Sequence, residues 1–170
     1  MQDIAWLNEL DPEEARTELL KCCGATRWAE TIECNRPYAS LEQLLAKAND
    51  SWWSLNETDW LEAFRSHPKI GERKAANAVS AQSQQWSTQE QQGVQNAAQE
   101  TIDKLAQLNL DYEKKFGFIF IVCATGKSSD EILALLEQRL PNDAPTELPI
   151  AAAEQAKITE LRLRKLLSNS

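Results

Sequence analysis

One histidine and one methionine occur among 170 residues. A single histidine excludes a His-rich metal site. The four cysteines, Cys22, Cys23, Cys34 and Cys123, form neither a CxxC pair nor a Cys/His zinc spacing. No GxSxG, P-loop or GxGxxG is present, so a serine nucleophile elbow and the common nucleotide cradles are absent. Five glycines and six prolines argue against long flexible linkers. Basic residues are also short: 18 Lys and Arg face 26 Asp and Glu, a net charge of −8. That balance excludes a protein whose main task is coating nucleic acid, which needs a basic face to displace counterions. It leaves open a small anionic ligand, because one buried arginine overrides net charge locally. The longest apolar run, FIFIVCA at 118–124, is too short to cross a bilayer. The opening MQDIAWLNEL lacks the basic-then-apolar order of a leader, and LLSNS is no peroxisomal address. The thiols read as reduced and mostly buried, so a cytoplasmic location is expected.

What is present is ordinary core-forming material. The hydrophobic fraction is 42% and the charged fraction 26%, enough for one compact domain over 1–170. Helix starts punctuate the chain. In DPEE, Asp11 is an N-cap, Pro12 the first helical residue and Glu14 the third, with Gly24 at the far end. Thr26 opens a second helix that NRP at 35–37 ends. SLEQ at 40–43 reads as a capping box before Leu41, Leu44, Leu45, Ala48 and Trp52. NETD at 56–59 opens a helix that Pro68 stops. A short helix is expected after Gly71. STQE at 87–90 opens a long helix through Leu108, with a second piece at 109–116. SSDE at 128–131 opens another, ending near Pro141. Three prolines predict a loop over 140–149, and a last helix over 150–167. The run 118–124 has strand composition but no partner run, so an extended buried segment or a helix start is expected rather than a sheet. The fold class is all-α, with roughly seven to nine helices and no internal repeat.

Three places carry chemical interest. His67 precedes Pro68 at a helix end, where the stiff turn presents the imidazole and the helix dipole favours the protonated ring. It is a bland helix-end histidine or a proton-handling group. Glu90 is fully explained as the capping partner of Ser87, yet it could also point from a helix N-terminus into a pocket. Arg162 and Lys165, three apart, form a solvated stripe, or Arg162 clamps a carboxylate by a two-pronged hydrogen bond. The six tryptophans read as core packing.

FRSHPKIG at 64–71, STQEQ at 87–91, LAQLNLDYEKKFGFIFIVCATGKSSDEIL at 105–133 and ITELRLRKLL at 158–167 follow one another in an order that resembles a known family. It is 2-oxo-4-hydroxy-4-carboxy-5-ureidoimidazoline (OHCU) decarboxylase, and the similarity covers nearly the whole chain. The combination of HPxIG, SxxEQ and NxxYxxxFGFxF is specific, whereas HP alone is not. The resemblance implies an all-α, cofactor-free, metal-free homodimer acting on a small molecule. It would turn OHCU into (S)-allantoin and carbon dioxide, after urate oxidation and hydrolysis of 5-hydroxyisourate. By the same resemblance His67 is the proton donor and Pro68 lines the site. Ser87, Thr88, Gln89, Glu90 and Gln91 form a second binding segment, with Glu90 the catalytic carboxylate. Phe120, Ile121, Val122, Cys123 and Ala124 form a third, where backbone groups face the ligand, and Arg162 holds the substrate. Glu90 would either tune the His67 proton or repel the leaving carboxylate. Ser66 and Ile119 depart from residues common in the family. The competing reading is a helical binding module that keeps the scaffold without the chemistry.

Overall fold

The computed structural model describes residues 2–68, Trp86 and 99–168. Among them are eight helices and no strand, as the all-α expectation requires. These are α1 (Ile4–Glu9), α2 (Pro12–Cys22), α3 (Thr26–Cys34), α4 (Leu41–Trp53), α5 (Glu57–Arg65), α6 (Gln99–Phe116), α7 (Ser129–Arg139) and α8 (Ala144–Leu167). None is long and apolar enough to cross a membrane among the described residues. The chain forms two compact units, one of residues 1–63 with 156–170, the other of residues 64–155.

In the first unit α2 packs on α3, and α3 on α4. Leu7, Leu19, Trp28, Ile32, Leu44, Leu163 and Leu166 are fully enclosed. The Trp28 indole N–H donates to the Ala48 carbonyl at 3.1 Å, so its polar end is satisfied inside the core. The caps follow the sequence. Asp11 accepts the Glu14 amide, and Ser40 accepts the Gln43 amide. The box at Ser40 is only half made, because the Gln43 oxygen takes the Ala39 N–H instead of the Ser40 N–H. Helix α3 has no side-chain cap from its own N-cap, Ala25. Glu62 of α5 replaces it, accepting the Thr26 amide at 3.0 Å and the Thr26 hydroxyl at 2.7 Å. At the end of α2 the chain leaves in extended form at Cys23, and Gly24 has no left-handed conformation.

In the second unit α6 packs on α7. Helix α6 runs unbroken through Asn109, which donates its side-chain amide to the Leu105 carbonyl one turn back. The two pieces expected there are therefore one helix. Gly117 ends it at φ +83°, where a side chain would be strained. The chain then runs without helix or strand through 118–124, buried except for the half-buried Ile119, and turns at Gly126 with φ +78°. The N-terminus of α7 carries the complete box, with Ser128 and Glu131 each binding the other's backbone N–H.

The loop expected over 140–149 is instead mostly helix, since α8 begins at Ala144. Pro145 lies in its first turn, where no N–H is needed. Asp143 caps that turn through the Thr146 amide at 2.9 Å. Pro149 removes one helical hydrogen bond. A buried ion pair two residues earlier holds the same turn: Glu147 meets Arg139, whose Nε donates at 2.7 Å. Tyr112 donates its hydroxyl to the same Glu147 oxygen at 2.6 Å, and Asn142 supplies a third donor, to the other oxygen, at 3.1 Å. Burial and the Glu147 hydrogen bond hold the Tyr112 phenol far above its ordinary titration range. Rings of Phe116, Phe118 and Phe120 surround the phenol.

Candidate active site

His67 stands two residues beyond the last turn of α5, and its own amide donates to the Phe64 carbonyl at 3.2 Å. His67 and Pro68 are both half-buried. The imidazole Nε2 lies 2.6 Å from the side-chain oxygen of Gln155 on α8, which is 0% exposed. An amide oxygen only accepts, so the contact is a hydrogen bond in the tautomer or cation that carries a hydrogen on Nε2. The bland reading of a solvent-facing histidine does not describe this ring.

The third expected segment lies in the same unit of residues 64–155. Phe120, Ile121, Val122, Cys123 and Ala124 are all buried. Three of their backbone groups are held by side chains. Arg139 Nη1 donates to the Ile121 carbonyl at 2.7 Å, and its guanidinium lies over the Phe120 ring at 4.5 Å. The Cys123 N–H donates to Glu154 at 3.1 Å, and Lys127 donates to the Cys123 carbonyl at 2.7 Å. Consecutive residues of α8, Glu154 and Gln155, thus grip segment 120–124 and the histidine respectively. Such anchoring fixes the direction of backbone dipoles, which a preorganised site requires.

Arg162 belongs to the other unit, and it is 3% exposed. Its Nη1 lies 3.4 Å from the Lys21 carbonyl. The solvated-stripe alternative fails for it, although Lys165 is half-buried and Arg164 exposed. Cys22 and Cys23 are buried nearby. Burial pushes the Cys23 thiol up to about 11 and Cys22 higher still, with the Arg162 charge opposing part of the rise. Both thiols therefore stay protonated and unreactive at neutral pH. Cys34, by contrast, is exposed. Ser87, Thr88, Gln89, Glu90 and Gln91 lie outside the described residues. Among the described residues no three His, Cys, Asp or Glu side chains stand together where a metal ion could be held.

Sequence reasoning missed Glu154, Gln155, Arg139 and Glu147. None sits in a motif, and each earns its place only through a partner distant in the chain.

The model of the family described as OHCU decarboxylase matches residues 8–164. The chain belongs to that family. It is 40% identical, over 87% of its own length, to the uric acid degradation bifunctional protein TTL of Arabidopsis thaliana. It covers 46% of that protein, and the chain spans about half or less of the length of several curated relatives it matches. Against the 2-oxo-4-hydroxy-4-carboxy-5-ureidoimidazoline decarboxylase of Xenopus laevis it is 31% identical, covering 81% of this chain and 78% of the other. Among solved structures, a crystal structure of OHCU decarboxylase in the presence of (S)-allantoin superposes with a TM-score of 0.76. That protein is 38% identical, with 89% of this chain and 98% of the other covered. The family that HPxIG, SxxEQ and NxxYxxxFGFxF suggest is the one to which the chain belongs, and the helical architecture matches that of the solved OHCU decarboxylase.

Proposed function

We propose that the chain catalyses the cofactor-independent decarboxylation of OHCU to (S)-allantoin and carbon dioxide. One observation carries the reading: in a chain of this family, the only histidine is fixed at a helix end by a buried amide. The substrate supports it chemically. The departing carboxylate sits on a ring carbon next to a C=N bond, so the electrons released with carbon dioxide enter that π system. No external electron sink is needed. The protein has to hold the carboxylate out of the ring plane, stabilise the developing charge and deliver a proton to one face.

In this reading His67 delivers the proton and Pro68 lines the pocket. Arg162 clamps the substrate, since a buried guanidinium suits a carboxylate or an imidazoline oxygen. Phe120–Ala124 present backbone groups, and the anchors from Arg139, Lys127 and Glu154 support that role. Ser87–Gln91 supply the second segment, with Glu90 as the catalytic carboxylate. We read residues 1–170 as one domain, because the family match runs through both units. The homodimer rests on the resemblance, and the cytoplasmic location on cysteines that are mostly buried and form no disulfide.

The test generates OHCU freshly from urate and follows the circular dichroism of the allantoin formed. Faster consumption with an excess of the S isomer is expected. Spontaneous decay is not stereoselective, so a racemic product at the background rate would overturn the proposal. That outcome would leave a helical binding module on the same scaffold.

A further inference from the structure

We infer that Gln155 is a positioning residue for His67, holding the Nε2–H so that the ring keeps one orientation and one proton placement through turnover. Its effect on turnover rests on the decarboxylase reading above, but its geometry does not.

At 2.6 Å the contact is at the short end for an N–H···O bond. The two residues are 88 apart in sequence, so no local turn imposes the meeting. Gln155 is 0% exposed and lies within α8. A fully buried amide is costly to keep without partners, whereas an apolar side chain would fill the same space at no such cost. The partner on this side is the imidazole. Its neighbour Glu154 holds the Cys123 N–H, so the helical turn that carries Gln155 is itself anchored to segment 120–124.

The choice of a neutral amide has a chemical consequence. A carboxylate at this position would hold the proton on the ring by charge. An amide oxygen orients the ring and fixes the Nε2 hydrogen without adding a charge. The ring then keeps its aim, and its charge is set by the other groups around it. A proton donor that acts on only one face of its substrate needs that fixed aim.

The test exploits the single histidine of the chain, whose ring protons and nitrogens give one unambiguous set of signals in a 15N-labelled sample. The wild-type protein without substrate is expected to show a downfield, slowly exchanging Nε2-bound proton. Gln155→Glu keeps an acceptor oxygen in the same shape and should retain that resonance. Gln155→Leu should lose it to solvent exchange. In the OHCU assay Gln155→Leu should lower kcat about 10–10²-fold with KM changed much less, and Gln155→Glu should recover much of the loss but with the pH profile of kcat displaced to higher pH, because the carboxylate holds the ring proton by charge. A wild-type protein without the protected ring proton would overturn the inference. So would a folded Gln155→Leu protein that keeps the resonance or the wild-type kcat. If Gln155→Leu does not fold, Gln155→Glu decides, and loss of the resonance there is equally fatal. An inactive wild type with the expected spectra would sink the decarboxylase reading while leaving the ring anchor standing.

Discussion

Two polar clusters inside the 64–155 unit use opposite chemistry. Around Glu147 a guanidinium, a carboxylate, a phenol and an amide converge, and Glu147 itself is 0% exposed. Opposite charges are matched there, and the aromatic rings around them exclude water. At His67 a half-buried imidazole meets a neutral buried amide, and no opposite charge takes part in that contact. The first arrangement fixes shape: it ties α6, α7 and α8 together and holds the Ile121 carbonyl. The second fixes the aim of a ring through a contact that carries no charge of its own. One unit thus holds a matched-charge cluster around Glu147 and a neutral amide contact at His67 in separate places.

The sharpest way to separate the two clusters is to remove a member of each. His67→Ala is expected to abolish most turnover, with a loss of at least roughly 10²–10⁴-fold in kcat. Its far-ultraviolet circular dichroism should match the wild type. An unfolded variant, or one with full activity, would break the distinction at the histidine end. Glu147→Leu should behave in the opposite sense, because it strands the Arg139 charge in a closed site. A stability loss of about 3–5 kcal/mol in urea unfolding is expected. Replacing both, as Arg139→Met with Glu147→Leu, should cost less than Glu147→Leu alone. A double variant as unstable as the sum of the two single ones would show that the ion pair is not the unit of stability.

The two clusters were unequally legible. Asp11, Ser40 and Ser128 announced their helices through bonds that span three residues, and such bonds leave local patterns. That 118–124 forms no sheet follows from one β-branched run with nothing to pair with; that it is no helix start is not written in the run. His67 stood out because it was alone and next to Pro68. Its partner Gln155 did not, since nothing about an AEQAK stretch marks a glutamine that will meet a residue 88 positions away. Arg139 and Glu147 were hidden by the prolines between them, which predicted a loop. Helices tolerate proline in the first turn, and the ion pair secures the turn where Pro149 weakens it. Arg162 did carry a signal that was available. It lies four residues after Ile158 and four before Leu166, both buried, so helical spacing alone puts it on the inner face.

The finest test of the closed cluster removes one oxygen. Tyr112→Phe keeps the ring among Phe116, Phe118 and Phe120 and deletes only the hydroxyl that donates to Glu147 at 2.6 Å. Glu147 retains Arg139 and Asn142, so no charge is stranded. A loss of about 1–2 kcal/mol at pH 8 is expected, less than for Glu147→Leu. The pH dependence has a definite sign. The folded-state phenol lies above the ordinary value of 10.0, through burial first and the Glu147 bond second. In the unfolded chain it ionises near that ordinary value. The stability it contributes is therefore complete below pH 10 and declines above it, because the unfolded state gains by losing the proton. Phenylalanine has no proton to lose. Urea unfolding of the two proteins at pH 8 and again above pH 10 should show the gap between them closing. A gap that widens in alkali would mean that Tyr112 ionises within the fold, and the matched-charge description of this cluster would have to be abandoned.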